Sequence, residues 1–260
     1  MPTPKTVRIL GLLLIALIMT GFVIGWLFPA VTLMNGRIIW ILEMLLLLVF
    51  ALIAGKATTG VWRAVLIDAN NKISLSRLQM FIWTILLLSG YVTAVLLNIR
   101  GKHSDPLSIA LAPTLWGLMG ISTASLVGSP LIKNAKKDQP TNQRAKAETV
   151  RLLQSQGVNE TSIKAEGQLL VKENPDNASW TDLFKGEEVG NAAHLDLGKI
   201  QMFYFTLIIW FAYATSLASS FNPMAKIVEF PQVSEGMVAL LAISHAGYLT
   251  NLAVPHTSRT

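Results

Sequence analysis

The chain contains no cysteine. That excludes a disulfide framework, a thiol nucleophile and any thiolate-held metal or iron–sulfur centre. Four histidines in 260 residues leave little material for a zinc site, and neither metal nor cofactor is expected. Charge is scarce too: 14% of residues, against about 25% in an ordinary soluble domain. Several motifs are absent: a P-loop, G-x-G-x-x-G after a strand, H-E-x-x-H, G-x-S-x-G and an EF-hand loop. No soluble stretch is long enough for a nucleic-acid-binding fold, and no nucleic-acid partner is expected. Ser122, Ser125, Ser244 and His245 are nucleophiles and a base by residue type only. Adjacent Ser244 and His245 would point about 100° apart on a helix, so no enzyme is expected.

Apolar residues are abundant, at 52%, and they come in blocks of membrane-spanning length. Six blocks run Val7–Phe28, Ile38–Ala54, Leu78–Leu97, Ala110–Gly128, Ile200–Ser219 and Gly236–Val254. They predict an all-α integral membrane protein of six transmembrane helices with a small cytoplasmic loop region. The second and fourth blocks are short, and interfacial Trp40 and Trp116 help to seat them. The first has a basic flank, Lys5 and Arg8, but is too long for a signal-peptide core and lacks an A-x-A site, so it reads as a retained span. All but four (Arg37, Arg100, Lys102, Lys226) of the 21 basic residues fall on one side if the N-terminus is inside. The positive-inside rule then puts both termini in the cytoplasm, with the protein multi-pass in the plasma (inner) membrane.

Residues 75–84 and 197–206 match at an offset of 122, sharing Gln-Met-Phe with a basic residue two positions before it (Arg77, Lys199). The register holds through Tyr91/Tyr213, Thr93/Thr215, Ser122/Ser244 and Ala124/Ala246. This predicts a duplicated helical hairpin, spans three–four and five–six, repeated in parallel about an axis along the membrane normal. Ser74 and Asp196 are the equivalent N-caps, and Ser76 with Gln79 also fits a capping box. The expected divisions are a first hairpin and interfacial segment (1–72), repeat one (73–130), the loop region (131–194), repeat two (195–254) and a tail (255–260).

Within the spans, Gly120, Ala124 and Gly128 lie four apart, as do Ala242, Ala246 and Thr250, the pattern of a close helix–helix seam. Gln79, Gly90 and Thr93 share one face, Thr84 and Tyr91 another. Gln201, Ala212 and Thr215, then Thr206 and Tyr213, repeat that arrangement. Glu43 and His245 are ionisable groups inside spans, where an unpaired charge is costly, so they face protein or water. These two, with Gln79, Gln201, Thr84, Thr206, Tyr91 and Tyr213, are the candidates for an ion or proton pathway. By depth, Glu43 and His245 fall within reach of one another.

The 131–197 loop opens with six basic residues between Lys133 and Arg151, a strip suited to anionic lipid headgroups. The remainder is acidic. Gln143–Gln156 predicts a helix ended by Gly157, Gln168–Glu173 a short strand, and Ser179–Phe184 a capped turn. That turn would present Trp180, Leu183 and Phe184 to the membrane surface or to a partner. Two functions fit: a channel-like or transport-related protein for protons or small ions, acting as a homo-oligomer; or a membrane anchor, scaffold or signalling subunit that recruits a cytosolic protein through 131–197.

Overall fold

The computed structural model describes residues 35–221 and 225–257. The span predicted at Val7–Phe28 lies outside them. Five helices are long and apolar enough to cross a membrane: α1 (Gly36–Thr59), α2 (Leu75–Arg100), α3 (Pro113–Lys137), α5 (Leu197–Ser220) and α6 (Glu235–Ala253). Between α3 and α5 lies a hydrophilic segment with a short helix, α4 (Gln143–Ser155), and an antiparallel hairpin, β1 (Ile163–Glu166) and β2 (Leu169–Lys172). The short strand expected at Gln168–Glu173 forms as β2, while its partner β1 is too short and too polar to declare itself. Predicted caps hold. Asp196 Oδ1 accepts from Lys199 N at 3.1 Å and Ser74 Oγ from Arg77 N at 3.5 Å. Ser76 is instead a buried position within α2, not a cap.

The chain folds as two compact units: residues up to Val65 with Phe81–Gly117 and Ile208–Val238, and Leu66–Met80 with Leu118–Leu207 and Ala239 onward. In the first, Trp40 packs on Phe221 with ring centroids 5.4 Å apart and donates its indole N–H to Ser89 Oγ at 3.0 Å. Trp83 packs on Tyr213, and Trp210 donates to the Ile82 carbonyl at 3.1 Å. The indole N–H groups of Trp40 and Trp210 thus find acceptors in an interior where no water can serve, whereas Tyr213 Oη is buried without a partner among the described residues. A loop pairing closes this unit. Ala110 N donates to Val228 O (2.8 Å) and Phe230 N to Ala110 O (3.0 Å).

Asn98, fully buried, locks that pairing. Its amide donates to Ile227 O and its oxygen accepts from Ile227 N, both at 2.8 Å. Asn98→Ala strands both backbone groups of Ile227. A loss of about 2–3 kcal/mol is expected, read as a lower unfolding midpoint in detergent.

In the second unit the hydrophilic segment builds its own core from Leu153, Leu170, Val189, Ala192 and Ala193. The segment predicted to lie along the interface, Trp62–Ser74, turns back on itself as expected at Asp68–Asn71, where Asp68 Oδ1 accepts from Asn70 N and Lys72 N. From Leu66 onward, however, it is buried rather than spread on a surface: Leu66, Ile67, Lys72 and Ile73 are all inside, and Lys172 N donates to Asn70 O at 3.0 Å. The turn thereby adds to the hairpin edge and satisfies backbone that would otherwise need water.

A candidate functional site in a buried polar seam

α3 does not end near Gly128. It continues through Pro130 to Lys137, so Lys133 and Lys136 lie on the helix. From Leu118 onward the buried positions along this helix are Leu118, Ser122, Ser125, Ser129, Lys133 and Lys136, one stripe at three- and four-residue spacing. The matching stripe on α6 is Leu241, Ser244, His245, Tyr248 and Leu252. Two hydrogen-bonded rungs join them: Ser125 Oγ with His245 Nδ1 at 2.6 Å, and Ser129 Oγ with Tyr248 Oη at 3.0 Å. Each rung lies about 5.4 Å, one helical turn, from the next. Ser122 Oγ, Ser244 Oγ and His245 Nε2 are buried without a partner among the described residues.

The small-residue stripes lie outside this polar seam. Gly120, Ala124 and Ala246 are exposed, Ala242 is half-buried, and nothing lies within 4 Å of the place a Gly120 Cβ would take. A Cβ on Gly128 would meet the Leu249 side chain at 3.4 Å. Glycine and alanine lose nothing facing lipid. Hydroxyls and an imidazole do, so the polar stripe turns inward and the small one outward.

One turn beyond the rungs is a buried ionic cluster. Lys133 Nζ contacts Asp68 Oδ2 (2.8 Å) and Glu187 Oε1 (2.9 Å). The same Glu187 Oε1 accepts from Lys199 (2.7 Å), and Oε2 from Lys72 (3.3 Å). Lys136 pairs with Glu188, whose other oxygen accepts from His256 N (2.9 Å) and Thr257 Oγ1 (3.0 Å). Burial alone would raise the Glu187 carboxyl, but Lys133, Lys199 and Lys72 hold it well below the usual carboxylate range. Asp68 is likewise lowered: Lys133 outweighs burial and the nearby Glu187. Lys72 is pulled below an ordinary lysine by burial, with Lys199 and Lys133 adding to the effect against Glu187.

The basic strip read as a lipid-headgroup surface is therefore partly spent inside the protein. Lys133 and Lys136 are buried on Glu187 and Glu188, and Lys137 reaches Glu166 at 2.7 Å. Arg144 and Arg151 still face outward from α4. The predicted docking face breaks up too. Trp180 is exposed, but Leu183 is buried and Phe184 packs edge-on against Phe203 at 5.0 Å. The Ser179–Asp182 capping box turns Leu183 inward.

Of the other pathway candidates, the structure brings together Gln79 and Thr206, whose side chains hydrogen-bond. Gln201 is exposed, and so is Thr84, on the wall of an apolar groove between α1 and α2. Tyr91 donates to Leu107 O at 3.0 Å, and Tyr213 is buried against Trp83. Glu43 is half-buried on α1 and has no hydrogen-bond or ion-pair partner among the described residues, and His245 bonds to Ser125 instead. Sequence reasoning singled out His245 but missed Ser129, Tyr248 and the acidic partners. The spacing of Ser122, Ser125 and Ser129 was the available signal for the seam.

A serine bonded to a histidine is also the nucleophile–base unit of acyl transfer, but there a third group orients the base. His245 Nε2 has no such partner among the described residues. Nor could any group of three His, Asp or Glu among them hold a metal ion. Five helices long and apolar enough to cross a membrane are compatible with a helical, polytopic membrane protein. No protein-family model, curated protein or solved structure matches the chain.

Proposed function

We propose that this is a channel-like or transport-related membrane protein that moves protons or small ions along the α3–α6 seam. The observation that carries the reading is His245, buried among hydroxyls with Nδ1 on Ser125 and Nε2 unpartnered. Ionisable groups inside membrane helices are costly, and they mark ion or proton paths when they face the protein interior. The Ser125–His245 and Ser129–Tyr248 rungs, followed by Lys133 one turn on, give a file of groups able to relay a proton or to replace a cation's water. A homo-oligomer belongs to the same reading: exposed Gly120, Ala124 and Ala246, with unpartnered Glu43, offer surfaces where a second copy packs closely. The positive-inside distribution favours a cytoplasmic hydrophilic segment in a plasma (inner) membrane. A duplicated hairpin is favoured by helix starts that keep the 122-residue offset, Leu75 with Leu197 and Pro113 with Glu235. Burial has since diverged, with Gln79 inside and Gln201 exposed.

The test is proton and cation flux into liposomes holding the purified protein. Flux above empty liposomes is expected, falling to background in His245→Ala and strongly reduced in Ser125→Ala. A folded, inserted protein with no flux sinks the proposal. The second reading, a scaffold, is favoured by the independent core of the hydrophilic segment and by exposed Trp180. On that reading Trp180→Ala disables the protein and His245→Ala does not.

A further inference from the structure

The hydrophilic segment and the 66–74 turn enclose a cavity of about 300 Å³, the lower end of the range for small-molecule pockets. Leu153, Val158 and Ile163 make an apolar wall, and Lys72, Lys172, Lys185 and the Asp182 carboxylate line the rest together with hydroxyl and amide groups. The three cations are not equally matched. Lys172 holds both oxygens of Asp182, at 2.7 and 2.8 Å. Lys185 reaches only a neutral acceptor, Gln156 Oε1 at 2.7 Å.

Lys72 is the informative one. It is 7% exposed, and its ammonium makes one long contact, 3.3 Å to Glu187 Oε2. An ammonium carries three N–H donors, so two have no acceptor among the described residues. The other oxygen of Glu187 is already shared by Lys133 and Lys199. Around it, counting the cavity-lining Lys172–Asp182 pair whose carboxylate also acts on Lys72, stand four ammonium groups (Lys72, Lys133, Lys172, Lys199) against three carboxylates (Asp68, Asp182, Glu187). Buried charge is tolerated when paired, and this cluster is one anion short on the side that faces the cavity.

We infer that the cavity binds a small molecule carrying a phosphate, received by Lys72 and Lys185, with its apolar part against Leu153, Val158 and Ile163. A dianionic group with three acceptor oxygens suits two unmatched ammonium donors, and lysine is a regular phosphate partner. The shared chemistry is a phosphate monoester, and either a soluble metabolite or a lipid headgroup can supply it.

The experiment is calorimetric titration of the full-length, delipidated protein in detergent with three probes: inorganic phosphate, adenosine monophosphate and a short-chain phosphatidic acid. Saturable binding of at least one probe is expected, and the one that binds tightest tells soluble from lipid source. Lys72→Met and Lys185→Met should each weaken it about tenfold or more, the value of a charge-assisted bond. A second measurement guards against misfolding. Without ligand, Lys72→Met removes an unmatched buried cation, so its unfolding midpoint should equal or exceed that of the unsubstituted protein. No binding of any probe at millimolar concentration, or affinity unchanged in both variants, overturns the site. So does a lowered midpoint in Lys72→Met, because the cation would then be matched already.

Discussion

Glu187→Gln is expected to lower the unfolding midpoint in detergent by about 10 °C or more, from a loss of about 3–5 kcal/mol. The amide keeps the shape of the side chain and removes its charge. Lys133, Lys199 and Lys72, all buried, then share Asp68 as their remaining carboxylate in the cluster. An uncompensated buried ammonium is among the most costly defects a fold can carry, and three of them converge here. The comparison is Glu166→Gln. Glu166 pairs with Lys137 and Lys164, but its side chain is 34% exposed, so water replaces what is lost and about 0–1 kcal/mol is expected. Equal midpoints for the two variants would mean that the Glu187 cluster holds nothing together.

The same cluster fixes the sign of the acid response. The carboxyls of Glu187 and Asp68 lie below their ordinary values in the fold. As pH falls, the unfolded chain therefore takes up their protons first, and linkage shifts the balance toward unfolding. Their contribution is complete above the unfolded carboxylate values, about 4, and is lost as pH drops through the lowered folded ones. Glu187→Gln should flatten this acid limb as well as lower the plateau. An acid limb unchanged in the variant would assign it to other carboxylates.

The five described spans were legible because bilayer thickness imposes a length on apolar runs, and no tertiary contact is needed to read it. The end of α3 was not. Lys133 and Lys136 look like the first residues of a loop, and only Glu187 and Glu188, some fifty residues later, make it possible to bury them on a helix. Sequence gave the charges of 131–197 as two separate patches, basic and acidic, whereas the fold neutralises one with part of the other. The seam shows the same limit at a finer scale. His245 stood out by cost alone, but the choice of Ser125 rather than a neighbouring hydroxyl is set by the register of two parallel helices. The stripe of Gly120 and Ala124 and the stripe of Ser122 and Ser125 lie on well-separated faces of one helix, one exposed and one buried. Both are plausible contacts, and which one turns inward depends on what lipid tolerates.

Gly167→Ala is expected to be the most damaging substitution by a single methyl group. Gly167 opens the two-residue turn between β1 and β2 at φ +59°, the type II′ position that favours glycine. A left-handed φ costs alanine about 1 kcal/mol or more. Space is the larger problem. An added Cβ would stand 2.2 Å from the Lys137 carbonyl oxygen and 2.5 Å from that of Lys136, and both are backbone atoms. The turn sits this close because it closes the end of α3: Gln168 N donates to Lys136 O at 3.0 Å, and Thr141 Oγ1 to Gly167 O at 2.6 Å. A helix leaves its last carbonyls without internal partners, so pushing the hairpin away leaves Lys136 O with only the longer bond from Gln139 N at 3.3 Å. It also strains the Lys136–Glu188 pair formed by the same residue. The expected loss is about 3 kcal/mol or more, combining strain with a lost buried hydrogen bond. Hydrogen exchange should locate it. Amides of β1, β2 and the last turn of α3 should exchange far faster in Gly167→Ala, while those around Trp40 and Asn98 stay as protected as before. Gly157→Ala is the internal control: φ is +83° but nothing lies within 4 Å, so only the conformational cost remains. If both variants exchange alike, contact between the hairpin and α3 is not what Gly167 protects.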